Sequence, residues 1–389
     1  MIKKKLFVQK ILSSIKFVIG KKTKKLHDPI FRGKEKKYLN NCINTGYVSY
    51  VGKYVSLFEK KISNYTKSKN VVSIINGTCA LHILLKYFNI GVNDEVLIPS
   101  QTFVATANAI SYCNATPHFV DTEIQTLGIC PDKLENYLKR ILIKKNKFYY
   151  NKKTGRRVKV LIAVHVFGVP CQILKLKSIC AKFNITLIED AAEAIGSFYK
   201  KIHLGNFALA SVISFNGNKT ITCGGGAVII TKSKKLAETI KHQSTTAKIN
   251  HPWEYIHNEI GYNYRMTNLN AAVGCAQLEN INKIIAAKRK NFNKYQKEFL
   301  KNRSVEVLRE PKFSKSNYWL IALKLKKQAH LKNLLLKESN KIGIKCRPIW
   351  KPLHTLKMFK SCPKDNLTNT IKTYKEVINL PSSPALNYK

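Results

Sequence analysis

Apolar runs of strand length alternate with segments of helical spacing over the first half of the chain. These runs are bounded by turn residues, and they predict strands at 70–77, 94–100, 115–121, 158–168 and 185–192. The spacing between them predicts helices at 34–44, 54–65, 78–88, 102–113 and 174–184. This alternation is typical of a mostly parallel sheet with helices on both faces. The expected fold class is therefore α/β.

The pattern changes after about residue 270, where a long helix is predicted at 268–302 and shorter elements follow. A chain of 389 residues also exceeds the size at which one core usually stops growing. We therefore expect a large α/β domain over 26–267 and a smaller α+β domain over 268–389. The basic stretch 139–159 is expected to be a surface excursion.

The first 25 residues form a basic extension in which lysines alternate with short apolar runs. These runs are too short to span a bilayer, so no transmembrane segment is predicted. The stretch also lacks a clean apolar region followed by a small-residue cleavage site, which argues against a signal peptide. A solvated extension is the favoured interpretation, and an amphipathic surface helix is the alternative.

The formal net charge is +46, from 68 basic and 22 acidic residues. Such a charge could indicate a nucleic-acid or anionic membrane partner. About 9 of the basic residues are arginine, although nucleic-acid binders favour arginine for bidentate contacts. No zinc-finger, homeodomain or RNP spacing occurs. We therefore interpret the charge as compositional bias and expect no specific nucleic-acid partner.

The 10 cysteines are scattered, and none forms a Cys-x-x-Cys pair. This spacing predicts neither a metal site nor a disulfide framework. Free cysteines are typical of a reducing compartment, so a cytoplasmic location is expected.

One lysine stands apart from the others. Lys219 lies in "SFNGNKTITCGGGAVIIT" (214–231), an apolar and glycine-rich segment, whereas most lysines here have lysine neighbours. A lysine amine held in an apolar or crowded place can act as a nucleophile and form a Schiff base with an aldehyde. The alternative is a lysine at a strand end whose stem packs on the core while its amine reaches water.

Other polar residues also follow predicted strands. Asp190, in "LIEDAAEAIGS", could pair with the pyridinium nitrogen of pyridoxal phosphate or simply cap a helix. Gly77 and Thr78, in "NGTCALH", open a helix whose amides could bind phosphate, or they form an ordinary turn with a threonine cap. Because ligands of such sheets bind at the carboxyl ends of the strands, we expect these residues to share one site with Lys219.

Two further residues belong to the same candidate site. Ser214, at the start of the lysine segment, could supply a hydroxyl to a phosphate. Phe103, in "PSQTFVATANAI", follows a predicted strand and could stack on a cofactor ring. A core phenylalanine is the alternative.

Taken together, these motifs resemble the DegT/DnrJ/StrS-type sugar-nucleotide aminotransferases. The matching stretches, spread from about residue 26 to residue 385, are "NGTCALH", "PSQTFVATANAI", "EDAAEAIGS", "SFNGNKTITCGGGA", "GYNYRMTNLNAAVGCAQLE", "RPIWKPLH" and "INLPSSP". The resemblance implies a pyridoxal-phosphate enzyme of the aspartate-aminotransferase fold (fold type I).

The resemblance also assigns roles around the cofactor ring. Lys219 matches the Schiff-base lysine, and Asp190 matches the partner of the pyridinium nitrogen. Glu193 occupies a place near the ring hydroxyl where the family often has glutamine or histidine. Phe103 matches the stacking aromatic residue.

Phosphate binding and assembly are implied in the same way. Gly77, Thr78 and Ser214 match phosphate ligands. Asn263, in "GYNYRM", matches an asparagine that reaches the phosphate of the neighbouring subunit. The resemblance therefore implies a homodimer with shared active sites.

Substrate contacts are expected from three further residues. Trp350 and His354, in "RPIWKPLH", could line the sugar-nucleotide site or only pack the smaller domain. Lys53, in "YVGKYV", could face the nucleotide phosphates or water.

The activity implied is transfer of an amino group, with glutamate as donor, to a nucleotide-linked keto-sugar for cell-surface glycan biosynthesis. The stretches "DPIFRGKEKKYLNNCINTGYVSYVGKYV" and "YNKKTGRRVK" favour the branch that aminates UDP-linked 4-keto-6-deoxy-N-acetyl sugars. A GDP-4-keto-sugar of the perosamine type and a 3-keto-sugar are the alternative substrates. A non-catalytic regulator that binds the cofactor is the alternative of a different class.

Overall fold

The computed structural model describes residues 2–20 and 24–388. Met1, residues 21–23 and Lys389, which fall within the predicted extension and the predicted small domain, lie outside the described residues. The helices are α1 Ile2–Ile19, α2 Glu35–Asn44, α3 Lys53–Thr66, α4 Gly77–Tyr87, α5 Val104–Tyr112, α6 Pro131–Ile141, α7 Ile173–Lys182, α8 Lys234–Ser244, α9 Asn268–Glu279, α10 Ile281–Phe299, α11 Lys332–Lys341 and α12 Thr368–Glu376. The strands are β1 Asn70–Ile74, β2 Asp94–Pro99, β3 Thr116–Val120, β4 Leu142–Lys145, β5 Phe148–Asn151, β6 Arg157–Val164, β7 Thr186–Asp190, β8 Phe198–Tyr199, β9 Ile202–His203, β10 Ala210–Ser214, β11 Ala227–Thr231, β12 Lys248–Ile249, β13 Ile256–His257, β14 Val305–Val307, β15 Ser314–Lys315, β16 Ile321–Leu325, β17 Arg347–Pro348 and β18 Val377–Leu380.

A nine-stranded mixed sheet is formed by strands between residues 70 and 231, with β1-β11-β10-β7-β6-β2-β3 as its main order. Strands β10, β7, β6, β2 and β3 are parallel neighbours, whereas β11 is antiparallel to both β10 and β1. The predicted mostly parallel sheet is confirmed. The basic stretch 139–159 contains the β4–β5 hairpin, and β5 pairs with the start of β6.

The central strands are buried because helices cover both faces of the sheet. All five residues of β10 and all five of β11 are buried, and both strands consist of apolar and small residues. One face packs on residues such as Leu176 of α7, and the other on residues such as Leu84 of α4. This arrangement leaves the loops at the strand ends to form a site.

A four-stranded antiparallel sheet, in the order β14-β16-β18-β17, lies in the carboxyl-terminal part. The long helix predicted over 268–302 is instead two helices, α9 and α10. Asn280 separates them with φ −105° and ψ 4°, which is not helical. Helix α9 packs on α2 and α3 of the larger part. The domain boundary at residue 268 stays a prediction.

The solvated extension favoured from the sequence is wrong for α1. Its apolar positions recur every three or four residues and form one face of the helix, which is buried against α10, α11 and the small sheet; they are Val8, Ile11, Leu12, Ile15, Val18 and Ile19. The amphipathic alternative therefore fits the structure. Within the described residues no helix has both the length and the apolar character needed to cross a bilayer.

Candidate active site

A cavity of about 280 Å³ opens where β1, β2, β6, β7 and β10 end. Eight of the residues singled out from the sequence line it: Gly77, Thr78, Phe103, Asp190, Glu193, Ser214, Lys219 and Trp350. These residues are spread over more than 270 positions of the chain. The fold therefore brings the predicted constellation together at the carboxyl edge of the sheet, where such sheets bind ligands.

Lys219 reaches this cavity from the loop between β10 and β11. Its Nζ lies 3.3 Å from Oε1 of Glu193 and 4.3 Å from the ring centroid of Trp319. The side chain is only 12% exposed. The loop closes through Gly226, which has φ +134° and whose hypothetical Cβ would lie 2.5 Å from Cε of Met266. Because other residues rarely adopt this φ, a side chain at residue 226 would strain the loop that holds Lys219.

Glu193 is a buried carboxylate held by backbone as well as by Lys219. Its Oε2 accepts a hydrogen bond of 2.7 Å from the amide of Phe167. Phe167 has φ 57°, a left-handed conformation that is costly for a bulky residue. Burial raises the pKa of Glu193 to about 7, although the nearby charge of Lys219 acts in the opposite direction. This carboxyl group therefore changes charge near neutral pH.

Asp190 ends β7 on the floor of the cavity. Its Oδ2 accepts a hydrogen bond of 2.8 Å from the hydroxyl of Thr106, and its Oδ1 accepts one of 3.1 Å from the amide of Ala192. The residues that follow Asp190 form turns, so the alternative role as a helix cap does not apply. Both oxygens are thus oriented while the carboxylate faces the cavity.

The first turn of α4 provides a candidate anion site. Asn76 is the N-cap, and its Oδ1 accepts a hydrogen bond of 2.9 Å from the amide of Cys79. The amides of Gly77 and Thr78 have no acceptor inside the helix, and they lie at its positive end. A hypothetical Cβ at Gly77 would lie 3.4 Å from Cβ of Ser214, so this turn and the serine are direct neighbours. These groups suit a phosphate.

Three predicted site residues do not line the cavity. Asn263 is exposed, and its backbone forms an isolated bridge with Thr245. Lys53 is exposed at the start of α3, with its Nζ 5.3 Å from the ring centroid of Tyr54. Nδ1 of His354 lies 2.7 Å from Oγ of Ser100, and burial lowers the pKa of this histidine. Their proposed roles stay predictions.

The sequence reasoning missed Thr106 and Trp319, two cavity residues that contact Asp190 and Lys219 respectively. Thr106, in the first turn of α5, lies three residues after the N-cap Phe103, so helical spacing could have placed both on one side. The ring of Trp319 faces the amine of Lys219, and its Nε1 donates a hydrogen bond of 2.7 Å to the carbonyl of Asn218. No local signal marks Trp319, because it lies 100 positions away from the lysine.

A second cavity, of about 420 Å³, adjoins the first and shares Asn218, Trp319 and Trp350 with it. His27 and Asn379 also line it. Neither ring nitrogen of His27 nor Nδ2 of Asn379 has a hydrogen-bond partner within the described residues. Burial lowers the pKa of His27 well below its ordinary value. The two cavities together therefore combine aromatic surfaces with polar groups that lack partners.

Comparison with known proteins identifies the chain. Residues 29–389 match the model of the DegT/DnrJ/EryC1/StrS aminotransferase family. The chain belongs to this family. It is 36% identical over 367 residues to GDP-perosamine synthase of Vibrio cholerae, covering 93% of this chain and 94% of the relative. It is 34% identical to GDP-perosamine synthase of Escherichia coli O157:H7, covering 93% and 94%.

Solved structures show the same fold. PseC of Helicobacter pylori, an aminotransferase involved in pseudoaminic acid biosynthesis, has a TM-score of 0.83 at 24% identity, covering 93% of this chain and 94% of PseC. The aminotransferase TlmJ of Streptoalloteichus hindustanus has a TM-score of 0.82 at 21% identity, covering 92% and 93%. The predicted fold type I is confirmed.

Membership of the family makes the protein a sugar aminotransferase that depends on pyridoxal phosphate. The donor set of the cavity fits this cofactor. The cavity offers helix amides for a phosphate, a carboxylate for a pyridinium nitrogen and a primary amine for an aldehyde. Aromatic side chains at Phe103, Trp319 and Trp350 and a volume of about 280 Å³ complete the fit.

Proposed function

We propose that the protein transfers an amino group from glutamate to a GDP-linked 4-keto-sugar of the perosamine type. The observation that carries this proposal is the convergence of Lys219, Asp190 and the first turn of α4 on one cavity. A cofactor held at its phosphate and its ring nitrogen would place its aldehyde near an amine, which is what amino transfer requires.

The choice of substrate comes from the curated relatives. Both GDP-perosamine synthases cover almost the whole chain at 34–36% identity. This supports the GDP-linked alternative better than the UDP-linked N-acetyl sugar that the sequence motifs favoured. A 3-keto-sugar remains the competing substrate in the same class.

The bound cofactor would act as an electron sink for the carbon that gains or loses a proton. Lys219 is the group we assign to carry that proton, because its amine is buried in the cavity beside Glu193 and Trp319. Asp190 would hold the ring nitrogen protonated, and Thr106 would keep its carboxylate in position. Phe103 would cover the cofactor ring.

Phosphate binding would fall to Gly77, Thr78 and Ser214. The amides of Gly77 and Thr78 and the hydroxyl of Ser214 lie at the positive end of α4, which favours an anion. The adjoining cavity is our candidate for the hexose. Aromatic faces at Trp319 and Trp350 would pack on the sugar ring, and the unpartnered His27 and Asn379 would bind hydroxyls.

The quaternary arrangement is part of the proposal. Asn263 is exposed and outside the cavity of its own chain, which fits an expected role at the phosphate of a second subunit. We therefore propose a homodimer with shared active sites, acting in the cytoplasm.

Borohydride reduction of the enzyme with its cofactor, followed by peptide mapping, tests the site. The covalent label should map to Lys219, and Lys219→Ala should fold but lose turnover. Lys177→Ala, on the exposed face of α7, is the matched control and should keep both label and activity. A label on another lysine would refute the assignment.

A panel of keto-sugar nucleotides tests the substrate. With glutamate as donor, the GDP-4-keto-6-deoxy sugar should give the highest kcat/KM, measured as release of 2-oxoglutarate. A UDP-linked N-acetyl sugar that exceeds it would return the protein to the branch favoured by its sequence motifs. In that case the labelling result at Lys219 would still stand.

A further inference from the structure

Helix α1 precedes the region that matches the family, and the proposed chemistry makes no use of it. Between residues 2 and 25 the sequence has nine lysines and no acidic residue. A segment of this kind needs an explanation beyond catalysis, because like charges in one helix repel each other and cost stability.

The docked face of α1 determines which side chains point outwards. Its buried residues pack on Phe292 and Tyr295 of α10 and on Leu335 of α11. The hydroxyl of Ser14 donates a hydrogen bond of 2.8 Å to Oε1 of Glu298, also on α10. The helix is therefore held in one orientation, and its opposite face is displayed to solvent.

That displayed face carries two large apolar side chains. Leu6 is 50% exposed and Phe17 is 79% exposed. Spacings of four, three and four residues join Leu6, Lys10, Ser13 and Phe17. These four side chains therefore lie on the side of the helix opposite its buried residues. Leu6 and Phe17 are about 16 Å apart along the helix axis. The outer face of α1 is defined here as Lys5, Leu6, Lys10, Lys16 and Phe17.

We propose that the outer face of α1 binds an anionic lipid surface. Its lysines Lys5, Lys10 and Lys16 are exposed and flank or separate the two apolar side chains. This is the combination that holds a helix in the plane of a membrane interface: cations meet lipid phosphates, and apolar groups enter the acyl boundary.

The positive charge and the apolar side chains of the outer face of α1 together favour an anionic lipid surface over a second copy of this chain or a nucleic acid. A second copy of this chain would bring two lysine-rich faces together, which is repulsive. A nucleic-acid backbone would complement the lysines but would offer no apolar layer to Leu6 and Phe17. An anionic bilayer complements both kinds of side chain at once.

Sedimentation of the full-length enzyme with lipid vesicles tests the proposal. At about 0.15 M salt the protein should bind vesicles of mixed phosphatidylcholine and phosphatidylglycerol, and not phosphatidylcholine alone. Phe17→Ser should lower the partition coefficient about tenfold, the loss expected for one aromatic side chain. The pair Lys10→Gln and Lys16→Gln should lower it roughly 30-fold. Aminotransferase activity should not change in either variant.

Helix α7 offers matched controls on a different surface. Leu174 is 38% exposed there, and Lys175 and Lys177 are exposed beside it. Leu174→Ser should leave vesicle binding unchanged, as should the pair Lys175→Gln and Lys177→Gln. Equal losses from the α7 and α1 variants would show that the net charge alone drives binding and would overturn the proposal.

Two further measurements exclude the other occupants. Light scattering should give the same molar mass for Phe17→Ser as for the natural sequence, and a fall in mass would assign the outer face of α1 to self-association. A duplex DNA that binds with an affinity dependent on Phe17 would assign the face to nucleic acid. Either result would refute lipid binding as its role.

Discussion

Nζ of Lys219 and Oε1 of Glu193 lie 3.3 Å apart, and the two side chains are 12% and 6% exposed. A buried pair is stabilised by its mutual attraction but also loses its solvation. Here burial is the larger effect on Glu193, whose pKa rises to about 7. Glu193 is therefore only partly ionised near neutral pH. Small changes around the pair would shift the ionised fraction of this carboxyl group.

Glu193→Gln should become more stable relative to the natural sequence as pH rises. The folded protein holds the proton of Glu193 up to about pH 7, whereas the unfolded chain releases it near 4.5. Since ionisation is then more costly in the folded state, Glu193 lowers the free energy of unfolding across this range, by roughly 3 kcal/mol at most. The glutamine cannot ionise and should not show this loss. Urea unfolding of both proteins, without added cofactor, from pH 4.5 to 7.5 measures the difference.

A second variant, Lys219→Met, tests the same pKa from the other member of the pair. The charge of Lys219 lowers the pKa of Glu193, so in Lys219→Met the loss of stability due to Glu193 should be larger and extend to higher pH. A difference between Glu193→Gln and the natural sequence that stays constant with pH would contradict the raised pKa.

The cavity could be predicted from the sequence where its residues are close in the chain to a strand end. Gly77, Asp190 and Ser214 each follow an apolar run, and parallel strands bring such ends to one edge. The hydrogen bond from Thr106 to Asp190 joins residues 84 positions apart. Such a contact depends on where the fold places α5 relative to the end of β7, which no local pattern of the sequence contains.

Thr106→Val should lower kcat about tenfold, because the buried carboxylate of Asp190 loses one of the donors that orient it. Valine has nearly the volume of threonine, so the protein should fold. Thr106→Ser keeps the hydroxyl and should retain most of the activity. Steady-state kinetics with saturating cofactor measure both variants. Equal losses in the valine and serine variants would show that the methyl group, not the hydrogen bond, matters.

Trp319→Leu should impair turnover more than Trp319→Phe. The ring centroid of Trp319 lies 4.3 Å from Nζ of Lys219, and a phenylalanine keeps an aromatic face towards that amine. Both variants lose the hydrogen bond from Nε1 to the carbonyl of Asn218, so this loss cancels in the comparison. The kcat values of the two variants are the measurement. If the two values are equal, the aromatic face of Trp319 contributes nothing to turnover.

The N-terminal helix illustrates a different limit of the sequence. The apolar positions of α1, from Val8 to Ile19, have helical spacing that is visible in the sequence. What could not be seen is the surface that receives them, since it is built from α10, α11 and strands some 280 to 370 residues later. Without a partner the stretch favoured a solvated extension, and only tertiary packing makes the helix part of the core.

Mixing two inactive variants should restore activity if the active site is shared. Asn263 is exposed and does not line the cavity of its own chain, although the resemblance places it at a phosphate site. We expect Lys219→Ala and Asn263→Ala each to be nearly inactive as homodimers. In a mixed dimer, one site would take both natural residues, Lys219 from one subunit and Asn263 from the other. Random remixing should therefore recover about a quarter of the natural activity, because half of the dimers are mixed and each has one intact site.

The matched control mixes Asn263→Ala subunits with subunits that carry both Lys219→Ala and Asn263→Ala. No dimer in this mixture has an intact site. Differently tagged subunits confirm that exchange has occurred, and verified mixed dimers that stay as inactive as this control would refute the shared site.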